Sequence, residues 1–367
     1  SQKRQYIKFS FLYAKNKAFY TKKFFLVFMK KLLAKVLIEI KPSQEEKDKV
    51  YSKVDSFITQ LNKNLRFATA ILGGSGAKDT WLKGMHDIDI FVKFNYKRYR
   101  NKNDSLSDIL EKILKKTFGR VSRLHGSRDY FQIKRGSFTF EVIPILDVKK
   151  ASQALNITDI SPLHAKWVIS HAKNTDEIRL AKAFVQAQGI YGAESYINGL
   201  SGYAIEILTI YYGSFIKLIK NVAKWPERKI IDIERHHRNV MLEVNKSKLV
   251  SPLVLIDPVQ PGRNVAAALS RANYNKFIDS ANSFLANPSR SFFRKKEFTV
   301  EELKRRAKTK KLILIEIKPK RGKKDVTGSR IVKTLDFIAN ALSEFGILEK
   351  GFVWNKRVVL YLSLIHI

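Results

Sequence analysis

Apolar positions along the chain change period repeatedly, and each change predicts an element. Between Gln44 and Leu65, the residues Val50, Val54, Phe57, Ile58, Leu61 and Leu65 recur at steps of three and four, which predicts an amphipathic helix. Ser43 precedes it as a candidate N-cap, and Glu46 three residues on would complete a capping box. The apolar-rich run Phe67–Leu72 predicts a strand leading into Gly73-Gly74-Ser75, and Asp87–Phe94 predicts the next. Helical spacing returns over Ser105–Phe118 through Leu106, Ile109, Leu110, Ile113 and Leu114, and Gly119 closes it. Asp129–Lys134 and Phe138–Leu146 read as paired strands about the turn Arg135-Gly136-Ser137. A small sheet with helices packed on it accounts for this first part.

From Thr175 onward the pattern is mainly helical. Asp176–Gln188 is closed by Gly189, and Ser201 opens a long helix with Ile205, Leu208, Tyr212, Phe215, Leu218 and Ile219 on its apolar side. Leu249–Ile256 reads as a strand before the turn-rich break Asp257-Pro258 and Gln260-Pro261-Gly262, and Arg263–Leu285 reads as helix. After Arg294-Lys295-Lys296, helix Val300–Ala307, strand Lys311–Ile317, helix Ile331–Phe345 and strand Phe352–Leu362 alternate as in a further α+β unit. LIEIKP occurs at 37–42 and at 314–319, but two short copies do not make a repeat.

The chain has 367 residues, room for two or three domains. Lys and Arg number 69 against 33 Asp and Glu, a formal charge of +36 that favours nucleic acid as partner ahead of an anionic membrane surface. A generally lysine-rich surface would explain part of that excess. The absence of cysteine excludes disulfides and thiolate metal sites and fits a reducing cytoplasm. The most membrane-like run, Ile205–Ile219, carries Glu206 and Lys217 and reads as a buried helix of a soluble protein. Residues 1–28 lack clear periodicity and precede Met29, so translated upstream DNA is expected there. LSLIHI at 362–367 resembles a translated sequencing adapter, which would end the authentic protein near Tyr361 as a C-terminally truncated chain.

Candidate chemistry concentrates in GGSGAKDTWLKGMHDIDIFVKF, Gly73–Phe94. Asp87 and Asp89 stand at i and i+2 of a strand, hence on one face, where cations would make both comfortable in ionised form. Glu141, inside the apolar strand Phe138–Leu146, is costly to bury unless liganded or paired and is the candidate third ligand. Carboxylate oxygens suit Mg²⁺, and two such ions would serve nucleotidyl transfer. Gly74 and its neighbours would offer backbone N–H groups to phosphate, with Ser75 and Lys78 beside them. Each feature has a bland counterpart: a solvated DxD, an ordinary turn, and Glu141 paired with Arg128. Their conjunction is far more specific than any one. His86 reads as surface, His236-His237 lacks further ligands for zinc, and no G-x-x-x-x-G-K-[ST] is present.

The run GGSGAKDTWL…HDIDIFV resembles the nucleotidyltransferases of the DNA polymerase β superfamily. EVIPILDV, SPLHAKWV, EIRLAKAFVQAQGIYGAE, GLSGYAIEILTIYYGSFIKLI and LIDPVQPGRNVAAALS, in that order, are similar to the archaeal-type (class I) CCA-adding enzymes, from about Leu32 to Tyr361. The resemblance implies an α+β multidomain fold: a polymerase β-like nucleotidyltransferase head at 29–170, a helical neck at 171–290 and a partial, ferredoxin-like body at 291–361. It implies addition of C, C and A to the tRNA 3′ end from CTP and ATP, with Mg²⁺ and release of pyrophosphate. The partner would be the tRNA 3′ end and acceptor stem, and a homodimer stays open. Carried over by motif, Ser75 and Lys78 would bind the triphosphate, and Asp87, Asp89 and Glu141 the metals. His164, Lys182 and Tyr191 would complete the nucleotide site, with Arg263 near the base and the RNA end.

Some positions depart from the pattern. Glu141 stands where the family typically has Asp, Lys78 often appears as Arg, His236–Ser247 is irregular, and the tail domain is mostly absent. Alternatives are a poly(A) polymerase or other RNA-terminal transferase, a small-molecule nucleotidyltransferase that would leave the charge unexplained, and a catalytically silent RNA-binding relative.

Overall fold

Alternation along one strand decides how the first unit is built. In the computed structural model, which describes residues 27–84, 86–295, 300–307, 311–318, 324–354 and 357–364, β2 spans Asp87–Phe94. Its Ile88, Ile90, Val92 and Phe94 are buried, whereas Asp87, Asp89 and Lys93 occupy the opposite face. The apolar face shares a core with Val50, Val54, Phe57 and Leu61 of α2 (Gln44–Asn62) and Leu106, Leu110 and Leu114 of α3 (Leu106–Phe118). Phe57 stacks between Phe118 and Phe140, with ring centres 4.4 and 4.1 Å away.

The sheet contains β1 (Ala68–Leu72), β2, β3 (Ser122–Leu124), β4 (Tyr130–Arg135) and β5 (Phe138–Leu146), in the order β1-β2-β5-β4-β3. β2 and β5 run parallel and the other pairs antiparallel. Register sets Asp89 directly beside Glu141. Ser43 caps α2 as expected, its Oγ accepting the Glu46 N–H at 3.1 Å. The Glu46 carboxylate instead accepts the Gly84 N–H at 3.0 Å, tying down the loop ahead of β2.

A larger core gathers helices around clustered phenylalanines. It includes α1 (27–40), α4 (Ser161–His171), α5 (Thr175–Ala187), α6 (Gly202–Tyr212), α7 (Phe215–Val222) and α8 (Arg271–Ala286). Met29, Leu32 and Val36 of α1 join Phe184, Phe215, Phe277, Phe284 and Phe293 there. The long helix expected from Ser201 is broken into α6 and α7. Gly213, at φ 82°, takes the left-handed conformation that ends a helix, and Ser214 caps the next by accepting the Lys217 N–H. Helix expected from Arg263 begins only at Arg271. Asn264 holds that preceding stretch against β7 (Leu253–Leu255), its Oδ1 accepting the Leu255 N–H at 2.9 Å. β7 pairs in parallel with β6 (Lys229–Ile231).

The last unit contains α9 (Val300–Ala307), β8 (Lys311–Ile317), α10 (Lys324–Ala341), β9 (Ile347–Trp354) and β10 (Val358–Leu364), with antiparallel sheet order β8-β10-β9. The expected strand Phe352–Leu362 is therefore two strands of a hairpin, Val358 pairing with Trp354. Of the expected adapter-derived tail, 362–364 lie in β10 with Leu362 and Leu364 buried, whereas 365–367 lie outside the described residues, as do 1–26 of the expected N-terminal extension. Among the described residues no helix is long and apolar enough to cross a membrane.

Candidate active site

The turn after β1 is pressed against the β2 carboxylates. Gly73 donates its N–H to the Asp89 carbonyl at 2.8 Å. Gly74 has φ +54°, and a Cβ there would fall 1.7 Å from Asp89 Oδ2, so only glycine fits. Asp89 is crowded electrostatically as well. Burial first, then the negative charges of Glu141 and Asp87, push its carboxyl up to about 6, against the opposing pull of Lys78. Glu141 Oε1 accepts a hydrogen bond from Gln132 Nε2 at 2.7 Å. Arg128, the alternative partner, is engaged elsewhere, with Asp159 and with the Pro144 carbonyl at 3.0 Å. Glu141 is thus left without that countercharge.

Asp87, Asp89 and Glu141 therefore meet on adjacent parallel strands, though not as a finished cage. Among the described residues, no group of three or more His, Asp or Glu side chains is assembled to hold a metal ion. The donor set still fits a hard divalent cation, because it is all oxygen and because the crowding at Asp89 is what a cation would relieve.

A cleft of ≈ 420 Å³ opens beside the carboxylates, lined by Ser75, Thr80, His86, Asp87, Lys182 and Tyr191 among others. His86, expected as surface, is exposed and borders this cleft. Burial, then Glu206 and other nearby carboxylates, push the Tyr191 hydroxyl up to about 12, so it is a neutral donor at neutral pH. Lys78 does not stand alone. Its Nζ lies 2.7 Å from Oε2 of Glu206, and Lys182 Nζ lies 2.7 Å from Oε1 of the same side chain. Burial works to raise the Glu206 carboxyl, but Lys182 and Lys78 overcome it and hold the group below the usual carboxylate range. Arg179, fully buried, staples the cleft wall from α5: it donates to the carbonyls of Trp81 at 3.0 Å and Asp79 at 2.6 Å.

His164 and Arg263 form a second group around Asp257, which is fully buried. Arg263 Nη1 donates to Asp257 Oδ2 at 3.0 Å, and His164 Nε2 sits 3.0 Å from the same oxygen without hydrogen-bond alignment. Tyr203 donates to Asp257 Oδ1 at 3.2 Å and stacks on His164 at 4.3 Å. Lys78 Nζ lies 6.0 Å from the Tyr203 ring centre, which links the two groups. Sequence reasoning missed Glu206, Asp257, Thr80 and Arg179. Glu206 did carry a signal, being a carboxylate inside the apolar run of α6.

The sheet crowds carboxylates against a glycine turn, with two largely buried lysine side chains nearby. The molecule is a nucleotidyltransferase of polymerase β-like fold, as its likenesses to known proteins show. Residues 176–294 match the family described as tRNA nucleotidyltransferase, second domain, and 29–179 match the Second Messenger Oligonucleotide or Dinucleotide Synthetase domain. The CCA-adding enzyme of Nanoarchaeum equitans (strain Kin4-M) is 37% identical over 310 residues, covering 83% of this chain and 75% of that protein. The CCA-adding enzyme of Saccharolobus islandicus (strain M.14.25 / Kamchatka #1) is 32% identical over 316 residues, 85% of this chain and 72% of that one. The chain belongs to the CCA-adding enzyme family. Among solved structures, the Cid1 poly(U) polymerase shares the fold with a TM-score of 0.55 at 15% identity, covering 72% of this chain and 98% of Cid1. E. coli CdnC, solved with ATP, does so with a TM-score of 0.52 at 17% identity, covering 72% of this chain and 94% of CdnC.

Proposed function

We propose that this protein adds the 3′-terminal C, C and A to tRNA from CTP and ATP, releasing pyrophosphate, in the cytoplasm. The observation that carries the chemistry is Asp89, pressed against Gly74 and crowded by Asp87 and Glu141. Asp87, Asp89 and Glu141 would hold two Mg²⁺ ions, which when bound neutralise phosphate charge and make the RNA 3′-hydroxyl more acidic. The backbone N–H groups about Gly74, with Ser75, hold the β- and γ-phosphates. Lys78 and Lys182 stabilise the charge that builds on the departing pyrophosphate. His164, Tyr191 and Arg263 bind and orient the nucleotide, and Gln132 steadies Glu141 on the hydroxyl side. The RNA 3′-hydroxyl gives up its proton to water in the open cleft as its oxygen attacks the α-phosphorus, the bond from that phosphorus to the α,β-bridging oxygen breaks, and pyrophosphate leaves with that oxygen. The +36 charge suits a partner recognised largely through its phosphate backbone.

The match of 29–179 to a second-messenger synthetase domain gives a second reading, in which nucleotides are joined to one another. Supplying tRNA that lacks its 3′ end, with Mg²⁺ and CTP, ATP or both, separates the two. Extension by three residues, with CTP needed before ATP, supports the tRNA reading. Unlimited A addition, or oligonucleotides made without tRNA, contradicts it.

A further inference from the structure

Glu206 is a fully buried carboxylate that the transfer chemistry leaves without a task. It reaches from α6 to the Lys78 amine at 2.7 Å and to the Lys182 amine at 2.7 Å. The Thr80 hydroxyl joins the group, 2.7 Å from Glu206 Oε1 and 2.8 Å from the Lys182 amine. Little water reaches it: the side chains of Lys78 and Lys182 are 11% and 4% exposed. Two ammonium groups sharing so dry a site would repel, and one would lose its proton or turn away. Burial holds the Lys182 amine below the ordinary lysine range, Lys78 from the turn after β1 and Arg179 from its own helix push it the same way, and Glu206 from α6 opposes them. Lys182 also lines the cleft with Ser75 and Asp87, and Lys78, in the turn that carries Ser75, is close enough for its charge to act on Asp89.

We propose that Glu206 is the positioning residue for the triphosphate-binding cations, holding the Lys78 and Lys182 amines together at the wall of the cleft. Because Glu206 lies on a helix of the larger core and Lys78 on the head, nucleotide affinity then depends on how the two units are docked. The inference rests on the nucleotidyl-transfer reading of the same cleft.

CTP binding by calorimetry, in Mg²⁺ and without tRNA, tests it. Glu206→Gln is expected to weaken CTP binding on the order of ten- to a hundred-fold. Its affinity should also fall more steeply than that of wild type as pH rises from about 7 to about 9, because burial already disfavours the charged Lys182 amine and the countercharge that opposes it is gone. A folded Glu206→Gln protein that binds CTP like wild type at both ends of the range overturns the proposal. Should that variant not fold, the double variant Glu206→Gln with Lys182→Met removes charge and countercharge together. It is expected to bind CTP several-fold more weakly than Lys182→Met alone, because Lys78 is no longer held; equal binding contradicts the proposal. A wild type that binds CTP yet never extends tRNA contradicts the acceptor reading and not this one, and a wild type that binds no nucleoside triphosphate overturns both.

Discussion

Asp89 and Glu206 are carboxylates of the same chemistry with opposite surroundings. Asp89 sits among like charges, and burial with Glu141 and Asp87 drives its carboxyl up to about 6. Glu206 is buried too, yet two ammonium groups and the Thr80 hydroxyl satisfy it and hold it low. The contrast is between a carboxylate that lacks a countercharge and one that ties two buried ammonium groups together across two units. An under-compensated charge persists only where the surrounding structure enforces it, which is characteristic of functional sites. A well-compensated one holds elements together.

The sharpest way to break this contrast is to neutralise each carboxylate. Asp89→Asn is expected to lower CTP incorporation at least about 10³-fold while leaving tRNA affinity largely intact. Because it also removes the crowding, its thermal midpoint should equal or exceed that of wild type. Loss of tRNA binding or of stability in that variant would show Asp89 to be structural. Glu206→Gln should do the reverse to stability, costing about 3–5 kcal/mol in denaturant unfolding, because it strands buried ammonium groups. The acid response supplies a second reading of it. The Glu206 carboxyl is held lower in the folded protein than in the unfolded chain, so its stabilisation is complete at neutral pH. That stabilisation is lost as pH falls through and below the ordinary glutamate range. Wild type should therefore lose stability in that acid window more steeply than the Gln variant.

How legible the two groups were from sequence follows from how far apart their members lie. Asp87, Asp89 and the glycines fall within one short stretch, and the period-2 alternation of β2 places both carboxylates on one face. Glu141 was legible because a charge in an apolar strand demands a reason, and parallel register then set it beside Asp89. Glu206 meets Lys78 across 128 positions, and no local pattern encodes such a contact. Asp257 reads only as part of a turn, since its contact with Arg263 forms inside that loop and its approach to His164 exists only once α4 is packed in place. The break at Gly213-Ser214 had its cap residues in plain view. It was overridden by an apolar stripe that continues in register from α6 into α7.

Smaller effects sharpen the account of Asp89. Gly74→Ala forces a methyl onto Asp89 Oδ2 at a backbone angle that disfavours side chains, and is expected to cost about 1–3 kcal/mol. It should also lower incorporation, read as initial rate beside unfolding midpoint. Gln132→Ala frees Glu141 Oε1 from its hydrogen bond and should change the rate by only a few-fold, with stability moved by about 1 kcal/mol.

The most direct measurement is the thermal midpoint of wild type and Asp89→Asn with Mg²⁺ and CTP supplied together. Ligand that binds only the folded state must raise the midpoint. A rise in wild type that disappears in Asp89→Asn is the predicted result, because the proposed function makes Asp89 a ligand of the Mg²⁺ that the nucleotide shares. An equal rise in both proteins would contradict it.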